Sequence, residues 1–308
     1  MIGNYVKLAR PAHWVKNSFV LVPVIFGMKF RDIIAWRQAL LAAAAFSLLA
    51  SAVYIINDIV DRNRDRLHPK KKDRPIASGA VGVGSAAAFA AVLVAPGVAL
   101  AWAAGPMVVA IVLAYFIMQM AYSFALKNKM LIDVIIIAMG FVLRATAGAA
   151  AIGVEVSPWL IVCTFTICLF MGFCKRRNEG ATLGNGEEAN NHRNTLSGYT
   201  PELLTHLITL SGAVAVVSFL MYATSQRTVE HFRNYYLVYT LPVVVYGVFR
   251  FAMLSMRGKY ADPVDLIIHD VGFQLAIALW VAMVLVILLF GPNLQAFFAA
   301  GINSNGGI

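Results

Sequence analysis

Nine residues early in the chain concentrate groups able to hold a metal-bound phosphate: Asn57-Asp58-Ile59-Val60-Asp61-Arg62-Asn63-Arg64-Asp65. Asn57, Asp61 and Asp65 are spaced i, i+4 and i+8. If the apolar helix before them continues, all three side chains share one helical face. Unpaired oxygens so placed repel one another, and a hard cation relieves the repulsion. Mg2+ prefers oxygen ligands and shares its shell with phosphates. The run that follows, Arg66-Leu67-His68-Pro69-Lys70-Lys71-Lys72-Asp73-Arg74-Pro75, adds the Lys and Arg donors that a diphosphate needs. Asp58, Asp61 and Asp65 are therefore candidate catalytic carboxylates. Asn57, Asp61 and Asp65 are candidate Mg2+ ligands, and Lys71 and Arg74 candidate phosphate donors. A solvated, charge-mixed loop at a membrane surface is the plainer explanation of the same stretch.

The membrane surface follows from composition. The 308 residues are 60% hydrophobic and 13% charged, with a mean hydropathy of +0.74. A soluble globular chain carries about 25% charged residues. The expectation is an all-α, polytopic membrane protein whose spans take up most of the chain. A net charge of +10 raises nucleic acid as a partner. The charges sit in short loops between apolar runs, however, where they act as a topology signal, and nucleic acid is not expected. Cys163, Cys168 and Cys174 fit neither a disulfide framework nor a zinc site and read as small packing residues.

A span needs about 20 apolar residues. Nine are expected, near Trp14–Met28, Gln38–Ile56, Val81–Trp102, Met107–Leu126, Leu131–Ile152, Pro158–Cys174, Pro201–Ala223, Tyr235–Leu254 and Val271–Phe290. The first is short and interrupted by Pro23, and reads as an uncleaved anchor. Ala- and Gly-rich runs such as Ala42–Ala45 and Gly148–Ala151 let membrane helices approach closely. With nine spans, nineteen Lys and Arg fall on one side and five on the other, with Arg144 alone inside a span. That asymmetry puts the N-terminus and the Asp-rich loop in the cytoplasm and the C-terminus outside an inner (plasma) membrane.

Other chemistry-bearing residues collect on the same side. Lys127 can reach a phosphate from a span end, and Tyr122 can hydrogen-bond a phosphate or ribose oxygen. Alone, the two read rather as an interfacial anchor pair. Arg144 lies eleven residues past Asp133, about 16 Å deeper on a helix. An Arg at that depth costs about 3 kcal/mol, so it must face a polar cavity or pair with an acid. Lys175-Arg176-Arg177-Asn178-Glu179 is either a second phosphate clamp or a stop-transfer anchor. The polar segment from Gly180 to Tyr199, with Glu187, Glu188, His192 and Arg193, is long enough to cover a site. Asp262, Asp265 and Asp270 suit helix starts. Arg10-Pro11-Ala12-His13-Trp14-Val15-Lys16-Asn17 reads by itself as an interfacial anchor.

Together these motifs resemble a known family. Asn57 to Asp65 is similar to the NDxxDxxxD motif of the UbiA superfamily of intramembrane prenyltransferases. Arg10-Pro-x-x-Trp14-x-Lys16-Asn17, His68-Pro69, Arg74-Pro75-Ile76-Ala77, Tyr122-Ser123 with Leu126-Lys127 and Asp133, Lys175-Arg176-Arg177-x-Glu179, His192-Arg193 with Tyr199, and Pro263-x-Asp265 with Asp270 resemble its decaprenyl-phosphate phosphoribosyltransferase branch. The resemblance covers residues 7 to 290. It implies one transmembrane domain over 1–308, a UbiA-like bundle around a central cavity open to the cytoplasm. The motif loops lie at about 57–80, 126–133, 175–200 and 255–270. It implies transfer of 5-phosphoribose from phosphoribosyl diphosphate to a polyprenyl phosphate, with Mg2+, for cell-envelope glycan synthesis. Lys16, Lys71, Arg74, Lys127, Lys175 and Arg176 are then expected at the substrates' phosphates. Tyr122 and Asp133 are expected at ribose hydroxyls or orienting Lys127, and Arg144 at the acceptor phosphate or bracing the cavity. A second DxxxD is absent, since Ile137 follows Asp133 at i+4. That disfavours the runner-up, an aromatic prenyltransferase with a prenyl diphosphate donor. A non-catalytic transporter or lipid-binding protein is the alternative from another class, and a homo-oligomer is left open.

Overall fold

The computed structural model describes residues 2–67, 71–183, 198–258 and 263–305, all of whose regular elements are helical. His68, Pro69, Lys70, Glu187, Glu188, His192, Arg193 and Asp262 lie outside the described residues. The chain forms two compact units, one from residues up to Ser157 with a return segment ending at Tyr199, the other from Pro158 and from Thr200 onward.

In the first unit α1 (Ile2–Ala9) leads into a 3-10 helix, Pro11–Val20, and then α2 (Val22–Phe26). Next come α3 (Ile33–Val60), α4 (Arg62–Leu67), α5 (Val83–Ala104), α6 (Pro106–Phe124) and α7 (Ile132–Ala151). The second unit holds α8 (Pro158–Leu183), α9 (Pro201–Thr224), α10 (Gln226–Phe232), α11 (Leu241–Met256), α12 (Pro263–His269) and α13 (Val271–Asn305). Eight helices among the described residues are long and apolar enough to cross a membrane. They coincide with eight of the nine expected spans, and the chain is a multi-pass membrane protein.

The first expected span differs. Residues 11–26 are a ten-residue 3-10 helix followed by five α-helical residues. A 3-10 helix rises about 2.0 Å per residue, so its ten residues reach about 20 Å, and α2 adds about 7.5 Å. Such long 3-10 runs are uncommon, and this one is held from outside. Asn17 Nδ2 donates to Ser47 Oγ at 2.8 Å, and Trp14 Nε1 to Ser51 Oγ at 3.0 Å. Ser47 and Ser51 lie one turn apart on α3, so that face presents hydroxyls to the 3-10 segment.

Helix ends follow local chemistry. Asp32 caps α3, its Oδ1 accepting from Ile34 N at 2.9 Å and Ala35 N at 3.2 Å. Gly105, at φ 139°, separates α5 from Pro106 at the first turn of α6. Thr200 and Ser225 cap α9 and α10. In the second unit, Phe170 of α8 packs on Gly212 of α9 and on the Phe251 ring of α11 at 5.6 Å. Arg250 of α11 makes a forked pair with Asp270 at 2.5 and 3.1 Å, and Asp270 also caps α13 by accepting from Phe273 N at 2.8 Å. Cys168 and Cys174 are buried and none of the three cysteines is in a disulfide.

The core of the first unit is built on small residues: Ala42, Ala45, Ala50, Ala101 and Ala147 surround Phe46 and Leu49. The closest approach is at Gly148 of α7, where an added Cβ would stand 1.9 Å from the Val20 carbonyl oxygen. Backbone cannot yield there as a side chain can. Gly148→Ala is expected to cost at least about 1–3 kcal/mol, read as a lower melting temperature of the purified protein. Gly84→Ala, with open space around the new methyl group, should leave it unchanged or raise it.

Candidate functional site

The Asp-rich stretch spans the end of α3, the cap residue Asp61, and α4. Helix α3 ends at Val60, yet the backbone bonds keep helical spacing: Asp61 N donates to Asn57 O at 2.9 Å and Asp65 N to Asp61 O at 2.8 Å. The i, i+4, i+8 relation therefore survives the break. The side chains nevertheless sort into two charge-balanced groups.

The first group is Asn57, Asp61 and Lys127. Asn57 Nδ2 donates to Asp61 Oδ2 at 3.1 Å. Lys127 Nζ, from the short 3-10 turn Leu126–Asn128 after α6, donates to Asp61 Oδ1 at 2.5 Å and Asn57 Oδ1 at 3.4 Å. The second group is Asp58, Asp65, Arg74 and Arg10. Arg74 Nη1 donates to Asp58 Oδ1 at 3.0 Å and Asp65 Oδ2 at 2.7 Å. Arg10 Nη2 donates to the same Asp58 Oδ1 at 2.6 Å. Asp58 is 3% exposed and Asp65 5%. Carboxylates buried this far are costly unless paired, and two cations, Arg10 and Arg74, supply the pairing.

Arg10 belongs to the Arg-Pro motif, but its type and spacing do not by themselves place it at the site. It adopts φ 50°, ψ 58°, in the left-handed region, directly before Pro11. A residue before proline is steered toward extended backbone, and strain of this kind costs about 1–3 kcal/mol. What holds it is visible: the Asp58 pair, and the Tyr54 ring 5.1 Å below its guanidinium. Ser51 Oγ also donates to Ala9 O at 2.7 Å. The only signal in the sequence is an Arg-Pro step in the same segment as the polar Asn17.

Asp133 has no exposed surface. It accepts from Tyr199 Oη at 3.0 Å, and the same hydroxyl oxygen accepts from Leu131 N at 2.7 Å. Leu131 sits at φ 66°, a strained start to α7. Tyr199 and Asp133 thus fasten the turn that carries Lys127. Tyr122 is half-buried on α6, as are Lys16 on the 3-10 helix and Lys71 in the turn before Arg74.

Arg144 is buried in the middle of α7. It donates to Asn17 Oδ1 at 2.7 Å, Gly140 O at 2.8 Å and Tyr115 Oη at 2.9 Å. The Tyr115, Phe141 and Phe46 rings lie 4.7, 5.3 and 5.7 Å from its guanidinium carbon. These partners are neutral oxygens and aromatic faces where an acid or a polar cavity was expected. Lys175 and Arg176 belong to the second unit, and Arg176 pairs with Glu179 one turn away.

An open pocket of about 420 Å3 adjoins the first group. Asp61, Asn63, Arg64, Lys127 and Asn128 form its polar lining, and Val60, Leu67 and Phe124 its apolar lining. The Lys127 ammonium rests against two hard oxygens, Asn57 Oδ1 and Asp61 Oδ1, the environment a hard cation takes. Among the described residues no three His, Cys, Asp or Glu are gathered as a metal cluster. Mg2+ typically takes one or two protein carboxylates and completes its shell with phosphates and water. Asn57 and Asp61 fit that demand, while Asp65 is turned to Arg74.

The sequence matches the UbiA prenyltransferase family over residues 20–267. The chain belongs to this family. It is 30% identical over 302 residues to the decaprenyl-phosphate phosphoribosyltransferase of Mycobacterium tuberculosis, covering 94% of this chain and 96% of that one. The Corynebacterium glutamicum decaprenyl-phosphate phosphoribosyltransferase is 30% identical over 301 residues, 95% and 89% of the two chains. The fold is similar to that of a UbiA homolog from Archaeoglobus fulgidus bound to DMAPP and Mg2+. The TM-score is 0.70 at 18% identity, over 92% of this chain and 99% of that one. As a UbiA family member the chain is a membrane transferase.

The Tyr199 hydroxyl serves both the strained Leu131 amide and buried Asp133. Tyr199→Phe leaves both short of that partner and is expected to cost about 1–3 kcal/mol. Thermal unfolding of the purified protein measures it, and limited proteolysis should show the 125–132 turn cut faster.

Proposed function

We propose that this UbiA-family transferase moves 5-phosphoribose from phosphoribosyl diphosphate to a polyprenyl phosphate, releasing diphosphate. The observation that carries the reading is the nearly full-length likeness to decaprenyl-phosphate phosphoribosyltransferases. Residues 20–267, which match the family, run through both units, so 1–308 is read as one catalytic domain. Lys and Arg asymmetry supports a cytoplasmic N-terminus and site, with the C-terminus outside the plasma membrane. The lipid-linked product is then a precursor of cell-envelope glycans.

Asn57 and Asp61 would hold Mg2+, with Asp65 as a third oxygen donor in this reading. Bound there, the metal offsets charge gathering on the leaving diphosphate. Lys127 and Arg74 adjoin these oxygens and supply charge-assisted donors to the phosphates. Lys16 and Lys71 are further phosphate donors in this reading. Tyr122 serves the ribose, Asp133 orients the Lys127 turn, and Arg144 braces the membrane interior. As the bond from ribose C1 to diphosphate lengthens, C1 becomes oxocarbenium-like. The lipid phosphate attacks the opposite face. A phosphate monoester dianion is already a competent nucleophile, so the chain needs no strong general base. The pocket beside Asp61, lined by the cations Arg64 and Lys127 and by the apolar Val60, Leu67 and Phe124, suits a phosphate carried on a hydrocarbon tail.

Purified protein given radiolabelled phosphoribosyl diphosphate, polyprenyl phosphate and Mg2+ should move label into the organic phase. Chelation of the metal should stop transfer, and Asp61→Asn should slow it by about 10²–10³-fold. An isoprenyl diphosphate with an aromatic acid should give no product. Transfer with that second pair alone would overturn the reading in favour of an aromatic prenyltransferase.

A further inference from the structure

Arg74 is held between two acids in this structure. Its Nη1 donates to both Asp58 Oδ1 and Asp65 Oδ2, at 3.0 and 2.7 Å. A guanidinium so placed cannot also reach a phosphate without leaving carboxylates behind, and those carboxylates are buried. Asp58 is the critical one, because the end of α3 leaves it almost no exposure to water. Arg10 resolves this conflict for Asp58, and Asp65 is the acid left for the metal in the reading above. Arg10 meets the same oxygen, Asp58 Oδ1, at 2.6 Å, shorter than the Arg74 bond. The four groups sum to zero formal charge. With Arg10 in place, Asp58 stays neutralised when Arg74 departs.

The local backbone supports a dedicated role. Arg10 takes a left-handed conformation before a proline, the step that ends α1 and opens the 3-10 helix, and the ion pair and the Tyr54 face receive the side chain that this turn projects. Trp14 and Ser51 fix the flanking chain, so the guanidinium is delivered to Asp58 from a fastened segment.

We infer that Arg10 is a positioning residue: it keeps Asp58 paired so that Arg74 is released to bind the substrate's diphosphate. Arg10 acts through Asp58 and Arg74 and does not itself touch substrate. The inference rests on the reading that a diphosphate binds here, but not on which group is transferred from it.

The test uses inorganic pyrophosphate with Mg2+, measured by calorimetry on the full-length protein in detergent. Wild type, Arg10→Met, Asp58→Asn and the double variant are compared, with melting temperatures recorded for each. Arg10→Met should weaken pyrophosphate binding by about tenfold, because Arg74 is then locked to two acids. In the Asp58→Asn background, where no acid needs Arg10, adding Arg10→Met should change binding by less than about threefold. Arg10→Lys, which keeps the charge, should stay within about threefold of wild type. Equal losses from Arg10→Met in both backgrounds would mean direct contact with the ligand and overturn the proposal. So would an Arg10→Met protein that melts normally and binds pyrophosphate as wild type does, or a wild type that does not bind it. A wild type that binds pyrophosphate but transfers no phosphoribose removes the functional reading and leaves this one standing.

Discussion

Carboxylates at the end of a membrane span must be neutralised, and the first unit is arranged around that demand. Asp58, Asp61 and Asp65 leave α3 and α4 within two turns of each other. Burying such charges costs several kcal/mol per ion unless partners are close. The partners come from Arg10, Arg74 and Lys127. Each lies on a different segment, so neutralising the acids also fastens the N-terminal segment, the loop after α4 and the turn after α6 to one helix end. Site assembly and local folding are thereby the same event.

A second polar structure lies deeper and works differently. Arg144 is met by Asn17, Tyr115 and the Gly140 carbonyl, with aromatic faces around it. Neutral oxygens solvate the guanidinium without adding a second buried charge, and the rings contribute their electron-rich faces. Asn17 passes the connection on to Ser47 of α3. The chain thus joins α7, α6, the 3-10 helix and α3 through a continuous set of hydrogen bonds. In a membrane, where packing offers little hydrophobic gain between helices, such a set gives the bundle a defined arrangement.

The spans were legible because hydropathy reports them directly, and eight of nine positions coincide with long helices. The exception, residues 11–26, fails the length rule because its winding is set by Ser47 and Ser51, far away in sequence. The helical relation of Asn57, Asp61 and Asp65 was also legible, since i+4 spacing is local. Their division into two groups was not. It depends on Arg10, 48 residues before Asp58, and on Lys127, 66 residues after Asp61. Single-sequence periodicity contains no information about such partners. Arg144 was marked by depth alone, which says that a partner is needed but not that Asn17 and Tyr115 provide it.

The 3-10 helix has a consequence for how the protein is made. Its backbone is shaped by Ser47 and Ser51, and its Asn17 is engaged by Arg144. Those residues emerge from the ribosome well after Pro11–Val20 does. The segment therefore completes its hydrogen bonds only once α3 and α7 are in place beside it. A stretch made before its partners is thus completed by them, and settles after they do.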